Sequence, residues 1–135
     1  MAYWLLKTEP STYSWDDLRK EKKVVWDGVN NLVALKNLRA ARKGDPVFIY
    51  HTGAEKRVVG VAEVSREAYP DPKQKDEKLV VVDLVARDTL ERPVPLETLR
   101  KEAAFAGSPL LRIGRLSVVP IDERQWRTVL KLAAG

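Results

Sequence analysis

The chain has 135 residues, 44% of them hydrophobic, with 24 Lys and Arg against 19 Asp and Glu for a formal charge of +5. That length and apolar content suffice for one domain, residues 1–135, with a real core and no need of disulfides or metal. Having no cysteine and a single histidine, His51, the chain excludes zinc fingers, redox motifs and thiol nucleophiles, while its positive surplus favours encounter with polyanions.

The opening, Met1 to Pro10, has no basic start and no long apolar stretch, unlike a signal peptide. No apolar run nears the roughly 20 residues that a membrane span needs, so the expectation is a soluble, cytoplasmic protein with no membrane partner. Tyr3 to Leu6 predicts a short buried strand, stopped by Pro10. Ser14 with Asp17 three residues on predicts an N-cap and a helix from about Trp15 to Glu21. Val24 to Trp26 reads as a strand end, and Asp27-Gly28 as a turn. Over 31–42 the spacing of Ala34, Leu38 and Ala41 predicts a helix, closed by Gly44-Asp45, with Lys36, Arg39 and Lys43 along a different face.

Three segments dense in β-branched residues follow, Val47 to His51, Val58 to Val64 and Leu79 to Val85, the first two close enough to form a hairpin. Tyr69 to Lys75 is rich in proline and charge and reads as a surface loop. A short helix is expected over Pro95 to Glu102 and a strand over Leu116 to Ile121. Asp122 and Gln125 resemble a capping box, opening a last helix whose apolar stripe is Trp126, Val129, Leu130 and Ala133. This order predicts an α+β domain with a mixed or antiparallel sheet of five or six strands that curls toward a barrel, rather than a doubly wound parallel sheet.

Phosphate loops of the Walker and G-x-G-x-x-G kinds are missing, as is a G-x-S-x-G elbow, so no cofactor and no serine triad are expected. His51 reads either as a strand-end histidine with its ring hydrogen-bonded or as a ligand group. Trp4, Trp15 and Trp126 read as core. Trp26 stands apart, because it ends a strand and is followed at once by a turn carrying the amides of Asn30 and Asn31. An aromatic plane that stacks on a base, beside amides that read its polar edge, makes a base pocket, and core packing is the equal competing reading for this ring. Lys36, Arg39 and Lys43, with Arg112 and Arg115 as a second cluster, are the candidates for phosphate contact, although such runs are usually solvated faces.

Tyr3-Trp4-Leu5-Leu6-Lys7-Thr8-Glu9-Pro10-Ser11 closely resembles the opening of EVE-domain proteins, the family that includes the thymocyte nuclear proteins. Trp26-Asp27-Gly28-Val29, Tyr50-His51-Thr52 with Gly60 to Val64 after it, Arg66 to Asp71, and Pro109 to Val118 resemble further segments of that family, in the same order along nearly the whole chain. The resemblance implies a PUA-like curled β-barrel with peripheral helices, related to YTH domains. It further implies a pocket for a flipped or unpaired modified base, with no cofactor and no reaction. Carried over by residue, Lys7, Thr8 and Glu9 would form one wall, Trp26 the aromatic plane, and Tyr50, His51 and Thr52 the opposite side. Arg112, Arg115 and Ser117 would lie at the rim. Where the family often has Arg-Asn-Tyr-Gln-Ala-Arg, this chain has Asn30-Asn31-Leu32-Val33-Ala34-Leu35, losing two charges and a phenol.

The leading expectation is therefore a monomeric, metal-free, non-catalytic reader of a modified base in DNA or RNA. A hydrolase on a related PUA-like barrel is the alternative, kept open by a lysine, a threonine and a carboxylate in Lys7, Thr8 and Glu9. A protein-interaction adaptor is the third.

Overall fold

The first strand explains the plan of the molecule. In the computed structural model, which describes residues 1–135, β1 (Tyr3–Thr8) buries Trp4, Leu5 and Leu6 in succession. Consecutive burial without alternation marks a strand covered on both faces. Accordingly β1 lies inside the sheet, parallel to β3 (Pro46–His51) on one side and antiparallel to β6 (Val118–Ile121) on the other.

The remaining strands are β2 (Lys23–Trp26), β4 (Arg57–Pro70) and β5 (Val80–Pro95), and the six form one mixed sheet in the order β2-β5-β4-β3-β1-β6. Only the β1–β3 pair is parallel. An α+β domain is thus present, but the expected barrel is not closed by hydrogen bonds: β2 pairs with β5 alone and β6 with β1 alone, leaving two edges.

Five helices surround the sheet. α1 (Trp15–Glu21) starts at Ser14, which forms a capping box with Asp17. α2 (Leu32–Ala40) starts at Asn31, whose side-chain oxygen accepts from the Val33 and Ala34 N–H groups. α3 (Leu96–Arg100) and α4 (Pro109–Arg112) are single turns, and Asp122 with Gln125 caps α5 (Glu123–Ala134).

The sequence reading needs correction at four places. β5 runs on to Pro95, and its second half pairs with the first half of β4. Tyr69 and Pro70 end β4, paired to Val81 and Val80, rather than opening a surface loop, and Asp71 beyond them is buried. Of the expected strand from Leu116, only Val118 to Ile121 is one. Leu130, placed on the apolar stripe of the last helix, is 40% exposed, because the buried face of α5 runs through Trp126, Val129 and Ala133.

α5 closes one face of the sheet. Trp126 stacks on Phe48 with ring centroids 3.7 Å apart and 17° between planes, and Tyr3 lies 5.2 Å away. Trp4 belongs to the core as well, its indole N–H donating to the buried Asp45 carboxylate (3.0 Å), which also receives the Arg42 N–H (2.8 Å).

α1 is seated by its first residue. The Trp15 ring lies directly against Gly60 of β4 and donates its indole N–H to Thr89 Oγ1 (2.9 Å). A Cβ built on Gly60 would meet three indole atoms at 2.2–2.5 Å, with rigid ring atoms rather than a flexible tip in the way. Gly60→Ala is therefore expected to destabilise the protein by about 3 kcal/mol, the upper end of the usual overpacking cost, measured by denaturant unfolding. A loss under about 1 kcal/mol would mean that Trp15 can leave its place without consequence.

Candidate nucleic-acid interface

The two ends of the sheet order meet at one cavity. A space of about 480 Å³ is lined by Lys7 and Thr8 of β1 with Glu9 after it, by Thr12 and Tyr13, by Val24, Val25 and Trp26 of β2, by Asp27, Gly28 and Val29, and by Ser117 just before β6. Strands β2 and β1 share no ladder, yet both line this space, so the sheet curls until its edges face each other across a seam. The volume lies within the range of small-ligand pockets.

The polar wall is fixed by short-range bonds. Thr8 Oγ1 donates to the Tyr13 carbonyl (2.6 Å), and Glu9 Oε1 accepts from the Ser11 N–H (3.2 Å) and hydroxyl (3.0 Å). These bonds, the Ser11 N–H first, hold the Glu9 carboxyl below the usual carboxylate range. The Lys7 backbone N–H donates to Ser117 O, and its ammonium to Gly114 O (3.0 Å). Burial of that half-covered side chain lowers its pKa. Lys7, Thr8 and Glu9 thus line one cavity, but their polar heads are bonded to three separate backbone sites, not turned on a common point as hydrolysis would ask.

The aromatic wall comes from Trp26, 8% exposed, and Tyr13, whose rings meet edge to face with centroids 6.2 Å apart. Trp4 and Trp15 both give their indole N–H to a partner, whereas the indole N–H groups of Trp26 and of Trp126 make no intramolecular hydrogen bond. Burial, and then the Glu21 carboxylate that accepts its hydroxyl (2.8 Å), pushes the Tyr13 phenol well above its ordinary pKa, so it stays neutral.

Of the candidate residues, Lys7, Thr8, Glu9, Trp26 and Ser117 come together here. Tyr50, His51 and Thr52 do not line the cavity. Tyr50 is buried beside Lys7, with Nζ 5.7 Å from the ring centre. His51 Nε2 accepts the Trp15 N–H (3.0 Å) and Nδ1 meets Glu55 (2.9 Å), so the ring anchors the start of α1. Thr52 leans on Thr8 O and Glu9 behind the wall.

Asn31 is taken up by the α2 cap, and Asn30 lines a separate, smaller cavity. Leu32 and Val33, in the stretch that departs from the family pattern, are exposed at the start of α2. Lys36, Arg39 and Lys43 are exposed but line none of the principal cavities; Arg39 donates to Lys78 O (2.6 Å) and the Lys43 N–H to Glu67. Arg112 donates to Gly107 O (2.8 Å), while Arg115 sits exposed between Gly114, which holds Lys7, and the cavity-lining Ser117. Tyr13, Thr12 and Asp27 were missed as lining residues. An aromatic between Pro10 and the Ser14 cap was the one available signal for Tyr13.

No group of three or more His, Asp or Glu side chains is placed to hold a metal ion, and no helix is long and apolar enough to cross a membrane. The model of the EVE domain matches residues 2–132. The chain belongs to the EVE domain family.

Among EVE-domain relatives, mouse thymocyte nuclear protein 1 is 30% identical over 164 aligned positions, covering 96% of this chain and 73% of that protein. The solved structure of Rpa0253 from Rhodopseudomonas palustris is 40% identical, with a TM-score of 0.93 over 99% of this chain and 94% of that one. The human THYN1 protein, solved in complex with DNA containing 5-methylcytosine, is 28% identical with a TM-score of 0.86 over 100% of this chain and 99% of its own. A YTH domain from Zygosaccharomyces rouxii, solved with N6-methyladenosine RNA, is similar in fold alone, at 15% identity and a TM-score of 0.61 over 98% of this chain and 86% of that one.

Proposed function

We propose that this EVE domain is a non-catalytic reader of a modified nucleobase, held in the seam cavity against the Trp26 ring. The observation that carries this reading is the pairing, in one 480 Å³ space, of an aromatic wall with an unengaged indole N–H and a polar wall of fixed backbone and side-chain groups. A flipped or unpaired base needs both parts: a plane to stack on and fixed polar groups along its edge. The human relative solved with 5-methylcytosine DNA supports the same assignment. The seam lies where a PUA-like barrel would close, so a base entering it would complete the curl of the sheet.

Lys7, Thr8, Glu9 and Ser117 would then face the base edge. The test is a binding screen against short DNA and RNA oligonucleotides carrying methylated, hydroxymethylated or plain bases. A preference for one modified base over its plain counterpart is expected, and equal binding to all of them would end the reader assignment.

Phosphate contact is assigned to Arg112 and Arg115, which flank the Gly114–Ser117 rim, with Lys36, Arg39 and Lys43 as a second, more distant set. Affinity for a single strand should fall with salt, each contact adding roughly 0.7 to the log-log slope. The Arg112→Ala/Arg115→Ala variant should therefore lower the slope by about 1.4. An unchanged slope there, together with a fall in a Lys36→Ala/Arg39→Ala/Lys43→Ala variant, would move the strand to the α2 side.

A further inference from the structure

A second cavity, of about 200 Å³, shares the Gly28–Val29 segment with the first. Val29, Leu79 and Val80 supply apolar surface, and Asn30, Gln74 and Asp71 supply polar groups. Asp71, set between Pro70 at the end of β4 and Pro72, is only 7% exposed. Its backbone is held on both sides, its N–H donating to Leu79 O (2.9 Å) and its carbonyl accepting from the Gln74 N–H (3.0 Å). One carboxylate oxygen, Oδ1, accepts the Lys73 N–H (2.9 Å), and the other takes no intramolecular hydrogen bond.

That second oxygen is not sealed away and its residue lines the cavity, so a ligand entering there can reach it, and a ligand that covered it without bringing a donor would lose affinity. Between the two cavities the chain is bare: Gly28 has a φ of +78°, and nothing lies within 4 Å of where a Cβ would stand. A nucleotide backbone can therefore cross this point with one base on each side.

We propose that the second cavity is a subsite for the base next to the one being read, and that it selects neighbours carrying an exocyclic amine, with Asp71 as the acceptor. The inference rests on the modified-base reading above. An acceptor-only group takes an unopposed hydrogen bond from the amine of cytosine, adenine or guanine, whereas the one edge donor of thymine and uracil, N3–H, lies between two carbonyl oxygens that repel a carboxylate. The amides of Asn30 and Gln74 serve the remaining acceptors of whichever base enters.

The probes are short single-stranded DNAs with one central 5-methylcytosine and each of the four bases placed in turn at its 5′ and its 3′ neighbour. On one of the two sides, thymine should bind about tenfold more weakly than the amino-bearing bases. Asp71→Asn keeps the shape and the bond to the Lys73 N–H but presents a donor in place of the second oxygen, so the preference should vanish or turn toward thymine. Gln74→Trp, which leaves Asp71 intact and fills the cavity from its exposed side, should erase the preference as well.

A wild-type protein that distinguishes 5-methylcytosine from cytosine but ignores both neighbours would overturn this subsite and leave the reader function standing. Neighbour dependence without any response to the central methyl group would do the reverse. Binding to none of the probes overturns the subsite, and the reader function is then decided by the wider screen of modified DNA and RNA. An Asp71→Asn protein that melts early yet keeps the wild-type neighbour preference would show Asp71 to be a turn former only.

Discussion

Trp26→Ala is expected to lower stability by about 3 kcal/mol and, in the same protein, to abolish discrimination between modified and plain bases. The ring is almost fully buried, belongs to the main apolar cluster and meets Tyr13 edge to face, so its removal leaves a void that the edge strand β2 cannot readily fill. The cost sits at the low end for a large aromatic because one side of the ring already borders the open cavity. Losing the stacking plane should weaken binding of the preferred oligonucleotide by about 1–3 kcal/mol. Trp26→Phe, which keeps a plane of smaller area, should recover part of both losses. Denaturant unfolding and binding at a temperature where the variant is folded separate the two quantities. A variant that melts early but binds with unaltered preference would reduce Trp26 to a core residue.

Trp126→Ala should be the more destabilising change, by about 4 kcal/mol, with no specific effect on recognition. Its indole is held between Phe48, stacked at 3.7 Å, and Tyr3 at 5.2 Å, on the face covered by α5, and it lines neither the seam cavity nor its neighbour. The residue is 9% exposed but lines none of the principal cavities, so its removal leaves a void inside the packed face rather than enlarging an existing space. Unfolding should shift strongly while the ratio of affinities for modified and plain probes, taken at equal folded fraction, stays constant. A changed ratio would mean that α5 communicates with the seam through β3 and β1.

Local signals carried much of the fold. Ser14 with Asp17 and Asp122 with Gln125 form the capping boxes their spacing predicts, since such boxes depend only on residues three apart. The second half of β5 escaped notice because only Leu90 and Val94 are buried between Thr89 and Pro95; a four-residue interval with charges between does not look like a strand. What makes it one is its long pairing with β4, from Gly60↔Thr89 to Arg57↔Pro95, which no local pattern encodes. Tyr69 was misread for a similar reason: proline and charge follow it, but its hydroxyl donates to Asp83 across the ladder and Arg66 lies over its ring.

The site was legible in part. Family resemblance grouped Lys7, Thr8, Glu9 and Trp26 with Tyr50, His51 and Thr52 and with a rim of Arg112, Arg115 and Ser117; of these, Lys7, Thr8, Glu9, Trp26 and Ser117 line one cavity and the others do not. The role of His51 at the start of α1 depends on contacts across 36 residues and leaves no trace in spacing. Asn31 looked like a base-reading amide, yet an asparagine just before a helical pattern is equally an N-cap, and that is where its oxygen is engaged. For Trp26 the core reading holds, since the ring belongs to the main apolar cluster, and its other side borders the cavity in which stacking is proposed.

The order in which the strands join has a consequence for synthesis on the ribosome. β1 emerges first, but its antiparallel neighbour β6 is made near the end, and the Lys7 ammonium waits for a carbonyl 107 residues downstream. Pairings of such long range close slowly, and the partly made sheet leaves β1 with one bare edge meanwhile. The nascent chain can therefore form helices and the β3–β4 hairpin before the wall of the seam cavity at Ser117 is in place. If the proposed reading holds, capture of a labelled oligonucleotide would report completion of the sheet, and a chain stalled before Val118 should be unable to bind one.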